Sequence, residues 1–208
     1  MKSIDRLYAE EIGALVITPN GEVSESLPDH PLVLAGSFNP LHDGHRGMLN
    51  AAAKVFDRPV FYEMSIVNVD KPMLPRPELE KRSSKISAEG SSLIVTRAPR
   101  FTEKSSLLPR SIFVIGFDTY IRLMDKRYYP DHVAGTHSPV ENSLDLIQEN
   151  DCRFVVAGRV DDDDQFRELH DIEYEVPSRF RSMFTELTES EFRSDLSSTE
   201  IRKTLSSL

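Results

Sequence analysis

Two imidazoles define the chemistry open to this sequence. His42 and His45 stand three positions apart, with Gly44 between them, in the string Gly36-Ser37-Phe38-Asn39-Pro40-Leu41-His42-Asp43-Gly44-His45. At the start of a helix this spacing turns both rings toward one spot. Gly44 removes a side chain that would block the approach, and Gly36 lets backbone come close to a ligand. A helix N-terminus adds exposed N–H groups and the positive end of its dipole, which favour phosphate. Together these make a site for negative charge developing on phosphate oxygens. The same pair could ligate zinc, but zinc wants a third protein ligand and no nearby Cys or Glu presents itself.

A second cluster occupies Asp195-Leu196-Ser197-Ser198-Thr199-Glu200-Ile201-Arg202. Ser197 or Ser198 can cap a helix, and Glu200 is placed to complete a capping box. The N–H groups and hydroxyls then form another anion site. Arg202 adds a fixed cation that can hold phosphate oxygens in bidentate fashion. Taken by itself, this string reads equally well as an ordinary capped helix. Its pairing with the first cluster argues for a ligand.

The surrounding pattern supplies elements that could hold both clusters. Residues 32–35 form a short apolar run, as in a strand buried on both faces, and residues 36–43 are rich in turn formers. Residues 44–56 carry Met48, Leu49, Ala52 and Val55 on one helical stripe, and residues 60–64 read as another strand. This strand–loop–helix–strand order implies a parallel pair. Further strands are predicted over residues 92–96, 111–115 and 153–157, and helices over 77–87, 118–124, 141–148 and 198–208. The alternation predicts an α/β fold: a Rossmann-like, doubly wound parallel sheet with helices on both faces, in a single domain. The predicted domain covers residues 31–208. Residues 1–30 read as an N-terminal extension, a hairpin or edge strand with residues 14–18 extended and a turn at Pro19-Asn20-Gly21. Asp161 to Asp164 reads as a solvated loop.

Composition narrows the function. The chain has 208 residues, 39% of them hydrophobic and 28% charged, as in a soluble globular protein. Its net charge of -9 disfavours nucleic acid as a partner, since phosphate backbones demand many Lys and Arg contacts. No apolar run is long enough to span a bilayer, and residues 1–6 lack the apolar core of a signal peptide. The lone cysteine, Cys152, excludes an internal disulfide, so a cytoplasmic location is expected. Whether the chain forms a homo-oligomer is not readable from the sequence.

The string at Gly36–His45 resembles the HxGH signature of the nucleotidyltransferase superfamily, and its Gly-Ser-Phe-Asn-Pro opening resembles nicotinamide mononucleotide (NMN) adenylyltransferases. The string at 195–202 is similar to that family's Ile-Ser-Ser-Thr-x-Ile-Arg motif, with Leu196 in place of Ile. The resemblance implies a nucleoside triphosphate and a phosphorylated small molecule as partners, with Mg2+ brought by the triphosphate. It implies catalytic roles for His42, His45, Lys71 and Arg202. It implies nucleotide contacts from Gly36, Ser37, Phe38, Asn39, Gly44, Gly116, Asp118, Arg159, Ser197, Ser198 and Thr199. Arg97, Phe101 and Lys104 follow a predicted strand and are candidates for the acceptor, although an ordinary loop explains them as well.

Three alternatives stay open. The acceptor and base could be those of a cytidylyltransferase or a pantetheine-phosphate adenylyltransferase. NMN adenylyltransferases often stack the nicotinamide ring on tryptophan, and this chain has none, which leaves Phe101, Tyr120 or Tyr128 as substitutes. The chain could also be a nucleotide-binding module without catalysis. A tRNA-charging role is disfavoured by the chain's short length and acidic charge.

Overall fold

The computed structural model describes residues 2–69, 72–128, 138–160, 166–171 and 176–193. The helices among them are α1 (Ser3–Tyr8), α2 (Asp43–Val55), α3 (Arg76–Ala88), α4 (Phe101–Leu107), α5 (Phe117–Met124) and α6 (Pro139–Glu149). The strands are β1 (Ala14–Ile17), β2 (Val23–Ser24), β3 (Leu32–Ala35), β4 (Val60–Ser65), β5 (Leu93–Thr96), β6 (Ile112–Gly116), β7 (Arg153–Ala157), β8 (Arg159–Val160), β9 (Phe166–Arg167) and β10 (Phe184–Leu187).

Eight strands form one sheet in the order β10-β7-β6-β3-β4-β5-β1-β2. From β10 to β5 every neighbouring pair is parallel. β1 runs antiparallel to both β5 and β2, so residues 14–24 close that side of the sheet as a hairpin. β8 and β9 make a separate two-stranded ribbon.

Two cores follow from the period-two alternation of strand side chains. Leu32, Leu34, Tyr62, Met64, Leu93, Val95 and Val114 pack under α1, α2 and α3. Val33, Ile94, Phe113, Ile115, Phe154 and Val156 pack under α4, α5 and α6. The chain thus winds with helices on one face from β3 to β5, then crosses to the other face on its way to β6 and β7. This is the doubly wound, Rossmann-like arrangement expected from the sequence. Among the described residues no helix is long and apolar enough to cross a membrane.

Local signals explain where the helices begin. Ser138 accepts from the Glu141 amide at 3.2 Å, and Glu141 Oε2 accepts from the Ser138 amide at 3.0 Å. With Pro139 in the first turn, this capping box starts α6 two residues before the predicted position. α4 and β10 were not anticipated from the sequence. The fully buried residues of α4 are Lys104 and Ser105, and these polar residues interrupt the apolar pattern of Phe101 and Leu107 that would reveal it.

Candidate functional site

β3 lies between β4 and β6, and the chain leaves the carboxyl ends of β3 and β6 in different directions. That divergence opens a crevice at the carboxyl rim, the usual ligand position in open parallel sheets. Leu34 of β3 pairs with Val114 of β6, so Gly36 and Gly116 stand side by side on the rim, each two residues further on.

The loop after β3 is held from several directions. The Gly36 amide donates to the Glu63 carbonyl at 2.9 Å. A Cβ at Gly36 would come within 2.8 Å of the Phe38 ring, so glycine is required for that ring to fold back on the loop. Phe38 itself has φ of 46°, a left-handed conformation that costs a non-glycine residue energy. Its buried ring recovers packing energy edge-on against His45 at 5.1 Å and against Tyr62 at 5.0 Å. The loop continues through a cis Asn39–Pro40 peptide, and Ser37 and Asn39 are exposed on it. From α3, Arg82 Nη1 donates to the Ser37 carbonyl at 3.1 Å.

His42 is the N-cap of α2, and His45 lies in the helix's first turn. Their rings stack, with centroids 3.7 Å apart and planes 30° apart. The His42 amide donates to His45 Nδ1 at 3.3 Å. That nitrogen is therefore an acceptor, and the proton of the neutral ring sits on Nε2. Burial, then the neighbouring His42 and Arg46, push the His45 pKa down to about 3. Burial and Arg46 also lower that of His42. Both rings are thus held neutral near pH 7, as hydrogen-bond donors rather than cations. Gly44, between them, is buried. Arg46 is occupied by Asp43 at 2.7 Å and by Glu89.

Across the rim, Gly116 is the N-cap of α5, and Met48 Cε lies 3.5 Å from where its Cβ would be. Asp118 is exposed in the first turn of α5. Arg159 opens β8, where it pairs with Arg167 of β9. Gly158 just before it has no room for a Cβ, which would meet the Arg167 carbonyl oxygen at 2.5 Å. The fold therefore brings Gly36, Ser37, Phe38, Asn39, His42, Gly44 and His45 together on one loop and helix start, with Gly116 beside them. Lys71, Ser197, Ser198, Thr199 and Arg202 lie outside the described residues.

Each of the three acceptor candidates has partners within the fold. Lys104 is buried, and its Nζ donates to both Glu63 carboxylate oxygens at 2.7 and 2.8 Å and to the Ala98 carbonyl at 2.8 Å. All three of its donors are used inside the fold, so none remains for an acceptor. Phe101 packs edge-on against Phe113 and Phe154, both at 5.3 Å, as part of the core. Arg97 donates to the Leu7 carbonyl at 3.1 Å and pairs with Glu10, which makes it a brace to α1. Tyr120 is fully buried, so it cannot stack on a substrate ring, whereas Phe101 and Tyr128 are half-buried. Sequence reading missed Arg82 and Glu63. Neither carries a motif, and each reveals its role only through a partner distant along the chain.

A doubly wound parallel sheet with two stacked imidazoles at a helix start on its carboxyl rim defines an α/β protein of the Rossmann-like class. The chain belongs to the cytidylyltransferase-like nucleotidyltransferase family, whose model matches residues 33–204. It is also similar to a Schizosaccharomyces pombe protein named "Putative nicotinamide mononucleotide adenylyltransferase", with 33% identity over 116 residues. The aligned part is 50% of this chain and 46% of that relative, so the match spans about half the length of each.

Proposed function

We propose that this chain transfers an adenylyl group from ATP to a phosphorylated small-molecule acceptor of the NMN or nicotinate mononucleotide class, releasing pyrophosphate. An acceptor phosphate oxygen attacks the α-phosphorus in line. The new O–P bond forms as the bond to the β-phosphate oxygen breaks, and pyrophosphate leaves with that electron pair. Such a transfer needs no covalent help from the protein, so positioning and charge stabilisation supply the rate. The observation that carries this reading is the stacked, neutral His42–His45 pair at the start of α2, beside the crevice between β3 and β6. Here the rings donate hydrogen bonds to the phosphate oxygens as charge builds on them. Lys71, Ser198, Thr199 and Arg202 complete the phosphate contacts in this reading.

Mg2+ fits as a companion of the triphosphate. Beside the histidines the protein offers ring nitrogens, and Asp43 is already paired with Arg46. That is no octahedral oxygen cage, so the ion would be held by phosphates and water. Bound there, it neutralises phosphate charge.

The absence of tryptophan, together with the burial of Tyr120, supports a second reading in which the acceptor carries no nicotinamide ring. Pyrophosphate release, measured with ATP and CTP crossed against NMN, nicotinate mononucleotide, phosphopantetheine and phosphorylated alcohols, separates the two. Release confined to the mononucleotides is expected. In the same assay His45→Ala should lower turnover by about a hundredfold or more. Undiminished release would remove His45 from the chemistry, and inactivity with every pair would favour a binding module.

A further inference from the structure

The loop between β3 and α2 is tied to a helix distant in the chain. α3 turns Leu79, Ser83 and Ile86 inward, and Arg82 lies on the flank of that face with its side chain 13% exposed. Its guanidinium divides two ways. Nε and Nη2 donate to Glu78 Oε2 at 3.3 and 3.2 Å, one helical turn earlier, and Nη1 donates to the Ser37 carbonyl at 3.1 Å. Glu78 thus sets the plane of the rigid fork that reaches Ser37. The Ser37 carbonyl shares a planar peptide with the Phe38 amide, so fixing one fixes the plane from which Phe38 turns. Phe38 has φ of 46°, and a left-handed residue other than glycine persists only where its surroundings hold it. Its buried ring meets His45 edge-on at 5.1 Å, while His42 stacks on the same imidazole at 3.7 Å. A continuous series of contacts therefore runs from Arg82 through Ser37 and Phe38 to His45.

We propose that Arg82 is a positioning residue for His45, locking the Ser37–Phe38 peptide so that the Phe38 ring keeps the imidazole against His42 in one orientation. This rests on the proposed nucleotidyl transfer for its effect on rate, because His45 is the group that donates to phosphate there. Arg82 acts through the loop and not on substrate. Freed from Arg82, the peptide relaxes, the Phe38 ring no longer covers the imidazole, and water reaches it.

The test uses the full chain with Arg82→Met, which keeps an unbranched stem and removes every donor. Nitrogen-15 spectra of the histidine rings, recorded from pH 7 to pH 4, report His45 directly. In the unsubstituted chain its ring should keep one neutral tautomer throughout, since its pKa is about 3. In Arg82→Met it should begin to take up a proton within that range, because burial is the largest cause of the depression. The charges that also depress it, His42 and Arg46, are kept in the variant. His170, paired with Glu186 on β10, should titrate identically in both chains. Turnover by Arg82→Met should fall about three- to tenfold, as for one lost hydrogen bond, with the ATP KM unchanged. Added to His45→Ala, Arg82→Met should lower turnover no further, as for two residues acting as one unit. Arg82→Lys, which keeps the charge and one donor, should show the same changes at smaller size and decides the question if Arg82→Met does not fold. An unaltered His45 titration would overturn the proposal, and so would a His170 titration that shifts as much as that of His45. Equal losses of turnover with and without His45 would do the same. A raised ATP KM with His45 unaltered would make Arg82 a phosphate ligand instead. Absence of transfer by the unsubstituted chain overturns the proposed function, and the titration then decides the role of Arg82 alone.

Discussion

His45 Nδ1 accepts the His42 amide, and a proton on Nδ1 breaks that bond. This makes acid stability a probe of the site. The folded-state pKa of about 3 lies below the unfolded value of about 6.5, so the unfolded chain takes up the proton first. Stability from this group is therefore fully present above about pH 6.5 and is lost as pH falls toward 3. His42 shifts in the same direction, and His170, held by Glu186, shifts in the opposite one. Urea unfolding of the unsubstituted chain and of His45→Gln, measured from pH 7 to pH 4, isolates His45, because every other titrating group is common to both. The variant's stability should fall less steeply with acid, and equal slopes would show that His45 is not held neutral. The glycine–histidine string was legible in the sequence because its parts are neighbours in the chain. Lys104 and Arg97 misled because charge near a strand end suggests a ligand, while their actual partners, Glu63 and Glu10, lie 41 and 87 positions away.

At the scale of elements, α4 is held to the sheet by a polar clasp as well as by the apolar contacts of Phe101 and Leu107. Glu63 on β4 accepts from Lys104 on α4 and, at 2.7 Å, from Thr96 on β5, and Thr96 Oγ1 accepts the Ala98 amide at 3.2 Å. The Glu63 and Lys104 side chains are 1% and 7% exposed, so neither charge has recourse to water. Lys104→Met should therefore destabilise the fold by about 3–5 kcal/mol, since it strands a buried carboxylate. Adding Glu63→Gln should recover part of that loss, because a neutral amide costs less to bury. Denaturant midpoints of the single and double variants check this, and a double variant no more stable than Lys104→Met would refute the clasp. The periodic elements were readable, β3, α2 and β4 most plainly. α4 was not, because a lysine and a serine stand between Phe101 and Leu107 on its inward face. β10 was not, because its buried residues, Phe184 and Leu187, are three apart, a helical spacing rather than the alternation of a half-buried strand.

For the whole molecule, the question is whether residues 31–208 fold without what precedes them. The alternation of strand and helix made the doubly wound core legible, and it also made the first thirty residues look like an appendage. Their packing makes them part of the core. Leu15 and Ile17 of β1 join the face under α1, α2 and α3, while Val16 joins the opposite one, so β1 is buried on both sides. Burying Leu7, Leu15, Val16 and Ile17 contributes about 1.5–3 kcal/mol each, and four such residues are comparable with a domain's whole stability of about 5–15 kcal/mol. Removing β1 would also leave β5 as an edge of four buried residues, Leu93 to Thr96, with open backbone donors and acceptors, a template for pairing with another chain. A chain starting at residue 31 should accordingly aggregate, eluting early in size-exclusion chromatography and binding a hydrophobic dye. A chain with only residues 1–9 removed keeps the hairpin and should stay monodisperse, though less stable, because Leu7 leaves the core with the half-buried Ile4 and Tyr8 beside it. If the chain starting at residue 31 instead ran as a compact species with a melting temperature within a few degrees of the full chain, the first thirty residues would be cover for a sheet that is complete without them.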